Sequence, residues 1–186
     1  MRFLKTVMIS VGVYSCAITA SFCEEPAVWL TAGSNCFTVE YESSVDLDTV
    51  AHRLNERGLF SGGFFGSEHA AAATPTEEIG RRLDRLLKRA EEILNMYPPE
   101  LKITVKIFKD DSFLAEAYFR MFGTRQDYKA FYVYQYSTIY TSEYSISDSV
   151  IIHEMAHAIV DNYFSANPPP KVAEILATYV DVHLEV

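Results

Sequence analysis

Basic residues are in short supply. The 186-residue chain carries 16 lysines and arginines against 25 aspartates and glutamates, a formal net charge of −9. With so few cations to meet phosphates, the balance argues against a nucleic-acid partner. Long apolar runs are missing too: beyond the N-terminal residues no segment is long and apolar enough to span a bilayer, so no transmembrane segment is expected in the mature chain. Internal repeats and coiled-coil heptads are absent, and the length does not allow two large lobes. A composition that is 49% hydrophobic is left to build one core in one globular domain. Cysteine is limited to Cys16, Cys23 and Cys36.

The N-terminus gives those cysteines a context. Residues 1–22 read as a secretory signal peptide, with basic Arg2 and Lys5, an apolar stretch from Thr6 to Ala17, and small residues at Ala20 and Ser21. Cleavage is expected between Ala20 and Cys23, which leaves residues 23–186 as the mature domain, secreted or periplasmic. The competing reading is lipoprotein anchoring at Cys16, for which Val13-Tyr14-Ser15-Cys16 is a loose match. In an oxidising compartment a Cys23–Cys36 bridge would tie the mature N-terminus to the first strand, contributing about 3 kcal/mol at most. The alternative is two unpaired thiols.

Periodicity then divides the chain. Phe37–Tyr41 alternates like a half-buried strand, and a helix follows from about Asp46 with Leu47, Val50, Ala51 and Leu54 on one face, ended by Gly58. The Gly-, Ala- and Ser-rich stretch 58–73 reads as a flexible loop, with Glu68 and His69 near its middle; either could approach a site, and the simpler reading is two solvated loop residues. Thr74-Pro75-Thr76-Glu77 forms a capping box with proline at the first helical position. A long amphipathic helix continues to about Met96, its Arg81, Arg82, Arg85, Lys88 and Arg89 assigned to a solvated face.

After Pro98-Pro99, Ile103–Phe108 reads as a strand, and Asp110 or Asp111 caps a short helix that ends at Phe122-Gly123. Ala130 to about Tyr140 suggests one or two strands with Tyr132, Tyr134, Tyr136 and Tyr140 sharing a face. Such an edge could receive an extended peptide, and sheet packing explains it equally well. A helix begins after Ser147 or Asp148, and Asn167-Pro168-Pro169-Pro170 separates it from a last helix over Lys171–Leu184. The predicted class is α+β.

The chemistry sits in the penultimate helix, as His153-Glu154-Met155-Ala156-His157. Helical residues four apart lie one above the other, so both imidazoles can address one metal ion with Glu154 beside them. Zinc takes neutral imidazole nitrogens and a carboxylate, keeps one position for water, and lowers the pKa of that water to about 7. Glu154 would then accept the water's proton as it attacks a carbonyl and pass it to the leaving amine. Ile152, Met155, Ala156, Ile159 and Tyr163 define a core face, while His153, His157 and Asp161 fall on another. The bland alternative is an ordinary helix with two solvated histidines.

Two histidines do not close a zinc site. Glu174, across the proline-rich turn, is the best third ligand, since that turn can fold the last helix back on the motif helix. Against it, Glu174, Thr178, Asp181 and Glu185 form one helical stripe that could merely face solvent. A metzincin-type site needs His or Asp where Tyr163 stands, and its usual glycine position is Val160. Asp161 is better placed to orient a ligand than to bind metal. His183 could ligate only in another helix register.

Val150-Ile-Ile-His-Glu-Met-Ala-His-Ala158 followed by Pro170-Lys-Val-Ala-Glu-Ile-Leu-Ala-Thr-Tyr179 resembles the gluzincin pattern of the peptidase MA-like metallopeptidases. The likeness runs loosely from about Asn35 to His183, and its specific part is these two motifs. The resemblance implies a single zincin-like domain, with a small mixed sheet packed on a long helix, a motif helix and a C-terminal ligand helix. It implies His153, His157 and Glu174 as zinc ligands, Glu154 as catalytic base, and a sheet edge that binds a peptide or protein substrate as an added strand. The chain departs from the pattern at Ile175, where a glycine often follows the ligand Glu, and at Thr178, where related enzymes can carry an Asp.

The expected function is thus a zinc-dependent metallopeptidase that hydrolyses peptide bonds by metal-activated water. An alternative is a secreted zinc- or peptide-binding protein of the same fold with little or no turnover, and a third is a helical scaffold with a chance motif. Amide hydrolysis also needs a donor to the oxyanion. Tyr140, Tyr144, Tyr163 and His183 are the candidates, none singled out by spacing. Neither motif bears on oligomeric state.

Overall fold

The structure, a computed structural model, describes residues 28–33, 36–54 and 73–184. The signal peptide, Cys16, Cys23 as a bridge partner, the Gly58 helix stop, and the loop with Glu68 and His69 lie outside the described residues. Among the described residues, five strands and five α-helices follow in the order β1 (Trp29–Gly33), β2 (Phe37–Glu42), α1 (Leu47–Arg53), α2 (Pro75–Leu94), β3 (Ile103–Phe108), α3 (Asp111–Phe122), β4 (Ala130–Val133), β5 (Thr138–Ser142), α4 (Asp148–Tyr163) and α5 (Pro170–Val182). The class is α+β, as expected. No helix among the described residues is long and apolar enough to cross a membrane.

Local chemistry sets the helix ends. Thr74 and Glu77 close the capping box at the start of α2, and Asn95 ends that helix in the left-handed region. Asp110 accepts from the Ser112 and Phe113 amides to start α3, and Gly123, at φ 72°, stops it where a side chain would be strained. Ser147 caps α4 through the Val150 amide.

The sheet has the order β1-β2-β3-β5-β4. Strands β2, β3 and β5 run parallel, while β1 and β4 pair antiparallel with β2 and β5 at the two edges. One face carries Phe37, Val39, Ile103, Val105, Ile107 and Ile139 into the main core with α1, α2, α4 and α5. The other carries Phe108, Phe131 and Val133 against α3, where Leu114 is buried. Each fully buried aliphatic or aromatic side chain of this kind contributes roughly 1.5–3 kcal/mol of transfer free energy. β1 was not anticipated, because Trp29–Gly33 has no alternating pattern of burial and is held by its ladder to β2.

Two expectations need correction. Arg82 is not on a solvated face: its guanidinium is buried against the buried carboxylate of Asp148, with the Arg82 Nε 3.1 Å from Asp148 Oδ1 and Nη2 bonded to Oδ2. Spacing along α2 alone could not reveal that partner, which belongs to the first turn of α4. The four tyrosines do not share one face either. β4 stops at Val133, a 3₁₀ turn covers Tyr134–Tyr136, and Ser137 in the left-handed region reverses the chain into β5. In the resulting register Phe131 opposes Tyr140 and Tyr132 opposes Ile139, so Tyr132 and Tyr140 project from opposite faces.

Candidate metal centre

α4 packs against α2, α5, β4 and β5, with Ile151, Ile152, Met155, Ala156, Ala158, Ile159 and Val160 buried. Tyr163 departs from its expected core face and lies 48% exposed at the helix end, beyond the packed layer. His153 and His157 stand one turn apart on a half-buried stripe, ring centroids 5.1 Å apart.

The proline-rich turn folds α5 back on α4. Pro170 opens the helix at a position where no amide donor is needed, and Ala177, Val180 and Leu184 pack into the core. Ser149 donates its hydroxyl to Asp181, which sets α5 along α4. That register brings Glu174 Oε2 to 3.6 Å from His153 Nε2 and Glu174 Oε1 to 3.5 Å from His157 Nε2.

These separations discriminate between two chemistries. They are too long for a direct N–H···O hydrogen bond, whose ordinary range ends near ~3.2 Å. Two ligand atoms each about 2.1 Å from a zinc ion, and separated by a tetrahedral angle, lie about 3.4 Å apart. The three ligand atoms all fall within 4.8 Å of one another. His153, His157 and Glu174 therefore form a cluster that could hold a metal ion, with Glu174 on the solvent side, 63% exposed, and His157 deepest, 17% exposed.

Electrostatics favours the ligand form of the deeper ring. Burial lowers the pKa of His157; the Glu174 carboxylate opposes this, and the neighbouring His153 adds to it. A neutral imidazole is what a metal requires. Glu154 is raised from 4.5 to about 7, above all by burial; the nearby Tyr132 backbone amide pulls it down, and the charge of Glu174 pushes it up. A carboxylate poised near neutrality suits a group that takes and returns a proton.

These residues line a cleft of about 390 Å³. Its floor is α4, with Asp161 one turn beyond His157 and its carboxyl raised by burial. Opposite stand Tyr118, Phe122, Tyr128 and Tyr132, from α3, the segment after it, and β4. A larger groove of about 1150 Å³ opens on the other face of the sheet, between α3 and the strands, and no histidine lines it. Volume alone would favour that groove; the donor chemistry favours the smaller cleft.

None of the four sequence candidates for an oxyanion donor lines the cleft. Tyr140 stacks on Phe131 on the far face, Tyr144 lies under Arg53, Tyr163 packs edge-on against Phe164, and His183 bonds the Tyr179 carbonyl at 2.8 Å. His183 is thereby outside the metal cluster as well. Tyr118 and Tyr128 were missed because they precede the motif on a different element, and no spacing rule connects them to it. Comparison with family models, with curated proteins and with solved structures returned no match to this chain, so the geometry of the cleft carries the functional reading alone.

Proposed function

We propose that this chain is a secreted or periplasmic zinc-dependent metallopeptidase of the gluzincin type, with a zincin-like fold and a peptide or protein substrate. The observation that carries the reading is the approach of one Glu174 carboxylate to both imidazole Nε2 atoms, at 3.6 and 3.5 Å, with the half-buried Glu154 beside them. His153, His157 and Glu174 would hold the ion, two nitrogens and one oxygen, a donor set typical of catalytic zinc. Zinc when bound supplies a Lewis acid that makes water acidic enough to attack at neutral pH.

The chain's own residues supply the rest. Glu154 takes the attacking water's proton and returns it to the amine nitrogen as the C–N bond breaks. β4, an edge strand, offers its free side to an extended peptide as an added strand. Tyr132 on that strand lines the same cleft as Glu154, so the base would lie beside the path such a peptide would follow.

The test is cleavage of unstructured peptides by zinc-loaded protein, followed by mass spectrometry. The wild type should cleave, and Glu154→Gln should lose about 10²–10⁴-fold in kcat while keeping its zinc. Equal cleavage by the two proteins removes Glu154 as base. Zinc binding without cleavage by the wild type favours the binding-protein alternative.

A further inference from the structure

Attack on a peptide carbonyl moves the C=O electron pair onto oxygen, and that oxyanion needs a hydrogen-bond donor placed in advance. Within the cleft most groups cannot serve. Among its side chains, His153, His157 and Glu174 form the metal cluster, and Glu154 and Asp161 are carboxyl groups. Three phenols remain. The Tyr132 hydroxyl is fully enclosed and lies beside Ser137 and Asn162. The Tyr118 ring is wedged by Phe122, Tyr128 and Phe131, with centroids at 4.6, 5.0 and 5.0 Å. Tyr128 is different: it is 47% exposed and lines the cleft, and its ring lies 5.0 Å from that of Tyr118.

We infer that Tyr128 is the oxyanion donor of this cleft, and that Tyr118 positions it. The inference rests on the peptidase reading and adds the group that reading lacks. As the water oxygen bonds to the carbonyl carbon, Glu154 takes the water's proton and the carbonyl oxygen becomes an anion. Tyr128 donates a hydrogen bond to that anion and keeps its proton throughout. When the C=O bond re-forms, the C–N bond breaks and the nitrogen takes the proton held by Glu154.

The surroundings suit a neutral donor. The pKa of Tyr128 is raised, first by the neighbouring Tyr118 hydroxyl and to a lesser extent by the charges of Glu174 and Glu154. The phenol therefore stays protonated across the working range. A hydroxyl both donates and accepts, so once Tyr128 turns its proton to an anion, Tyr118 can donate to the oxygen of Tyr128 and strengthen that bond.

A peptide with a phosphinate in place of the scissile amide presents the tetrahedral anion without turnover, so its affinity for zinc-loaded protein reads the donor directly by calorimetry. Tyr128→Phe should weaken phosphinate binding about 10–100-fold, with zinc content and the melting temperature of the metal-free protein unchanged. Its kcat should fall by about 10²–10³ with little change in KM. Tyr118→Phe should weaken phosphinate binding by about 2–10-fold, and should have no further effect when Tyr128 is already Phe, which a merely structural role would not produce.

Equal phosphinate affinity for wild type and Tyr128→Phe, or binding to neither, overturns the assignment. Cleavage by the wild type that Glu154→Gln abolishes but Tyr128→Phe leaves intact also overturns it and spares the peptidase reading. No cleavage by the wild type, with the phosphinate still discriminating, counts against the peptidase and supports Tyr128 as the anion donor.

Discussion

Tyr132, on the outermost strand of the sheet, shares the cleft with Glu154 of the motif helix, and its backbone amide lowers the pKa of that carboxyl. This proximity links the edge proposed to receive a peptide to the group proposed to move its proton. It also partly offsets the cost of burying that carboxylate, which otherwise pushes its pKa upward.

Because Glu154 rises from 4.5 to about 7 on folding of the metal-free chain, the native state binds its proton more tightly than the unfolded state. Stability from this group is therefore lost as pH climbs from about 4.5 to about 7, by about 3 kcal/mol at most. His157 works the other way, since burial lowers its pKa and its contribution is lost as pH falls through the unfolded value. Comparing Glu154→Gln with wild type cancels the His157 effect. In urea melts with chelator, the variant should match wild type near pH 4.5 and be the more stable protein at pH 8; a difference that does not change with pH contradicts the burial of Glu154.

Arg82 and Asp148 fasten α2 to the first turn of the motif helix as a buried pair. Replacing Arg82 with Leu should cost about 3–5 kcal/mol by stranding the Asp148 charge, and adding Asp148→Leu should recover a large part of the loss. Urea denaturation of the two single variants and the double variant measures this. A loss below about 1 kcal/mol, the range of exposed pairs, would mean the pair is solvated.

Asp181 holds Ser149 two turns beyond Glu174, so it governs where that carboxylate sits relative to the imidazoles. Asp181→Ala should lower zinc affinity about 10-fold or more, in the manner of groups that orient ligands, while costing about 1 kcal/mol of stability. Competition with a chromophoric chelator gives the affinity. Unchanged affinity would show that α5 is placed by its apolar contacts alone.

Much of this arrangement was legible from local chemistry. The capping box at Thr74, the Asp110 and Gly123 boundaries of α3 and the strand Ile103–Phe108 depend on neighbouring residues, and they lie where the sequence places them. The histidine pair follows from helical spacing, and the return of α5 follows from the prolines. What local pattern could not reveal is whatever depends on contact across the fold. The burial of Arg82 needs Asp148, the pairing of β1 needs β2, and the tyrosine stripe breaks because Ser137 turns the chain through a left-handed conformation. Tyr128 enters the cleft for the same kind of reason, brought there by the path from α3 to β4.

The most direct test of the account is the metal itself. Protein purified without chelator and loaded with zinc should hold one ion per chain, with X-ray absorption reporting nitrogen and oxygen neighbours at about 2.0–2.2 Å and no sulfur. His157→Ala and Glu174→Ala should lose it, while Glu154→Gln should retain it. Less than about half an equivalent in the wild type, or an unaltered ion in Glu174→Ala, would contradict the centre formed by His153, His157 and Glu174.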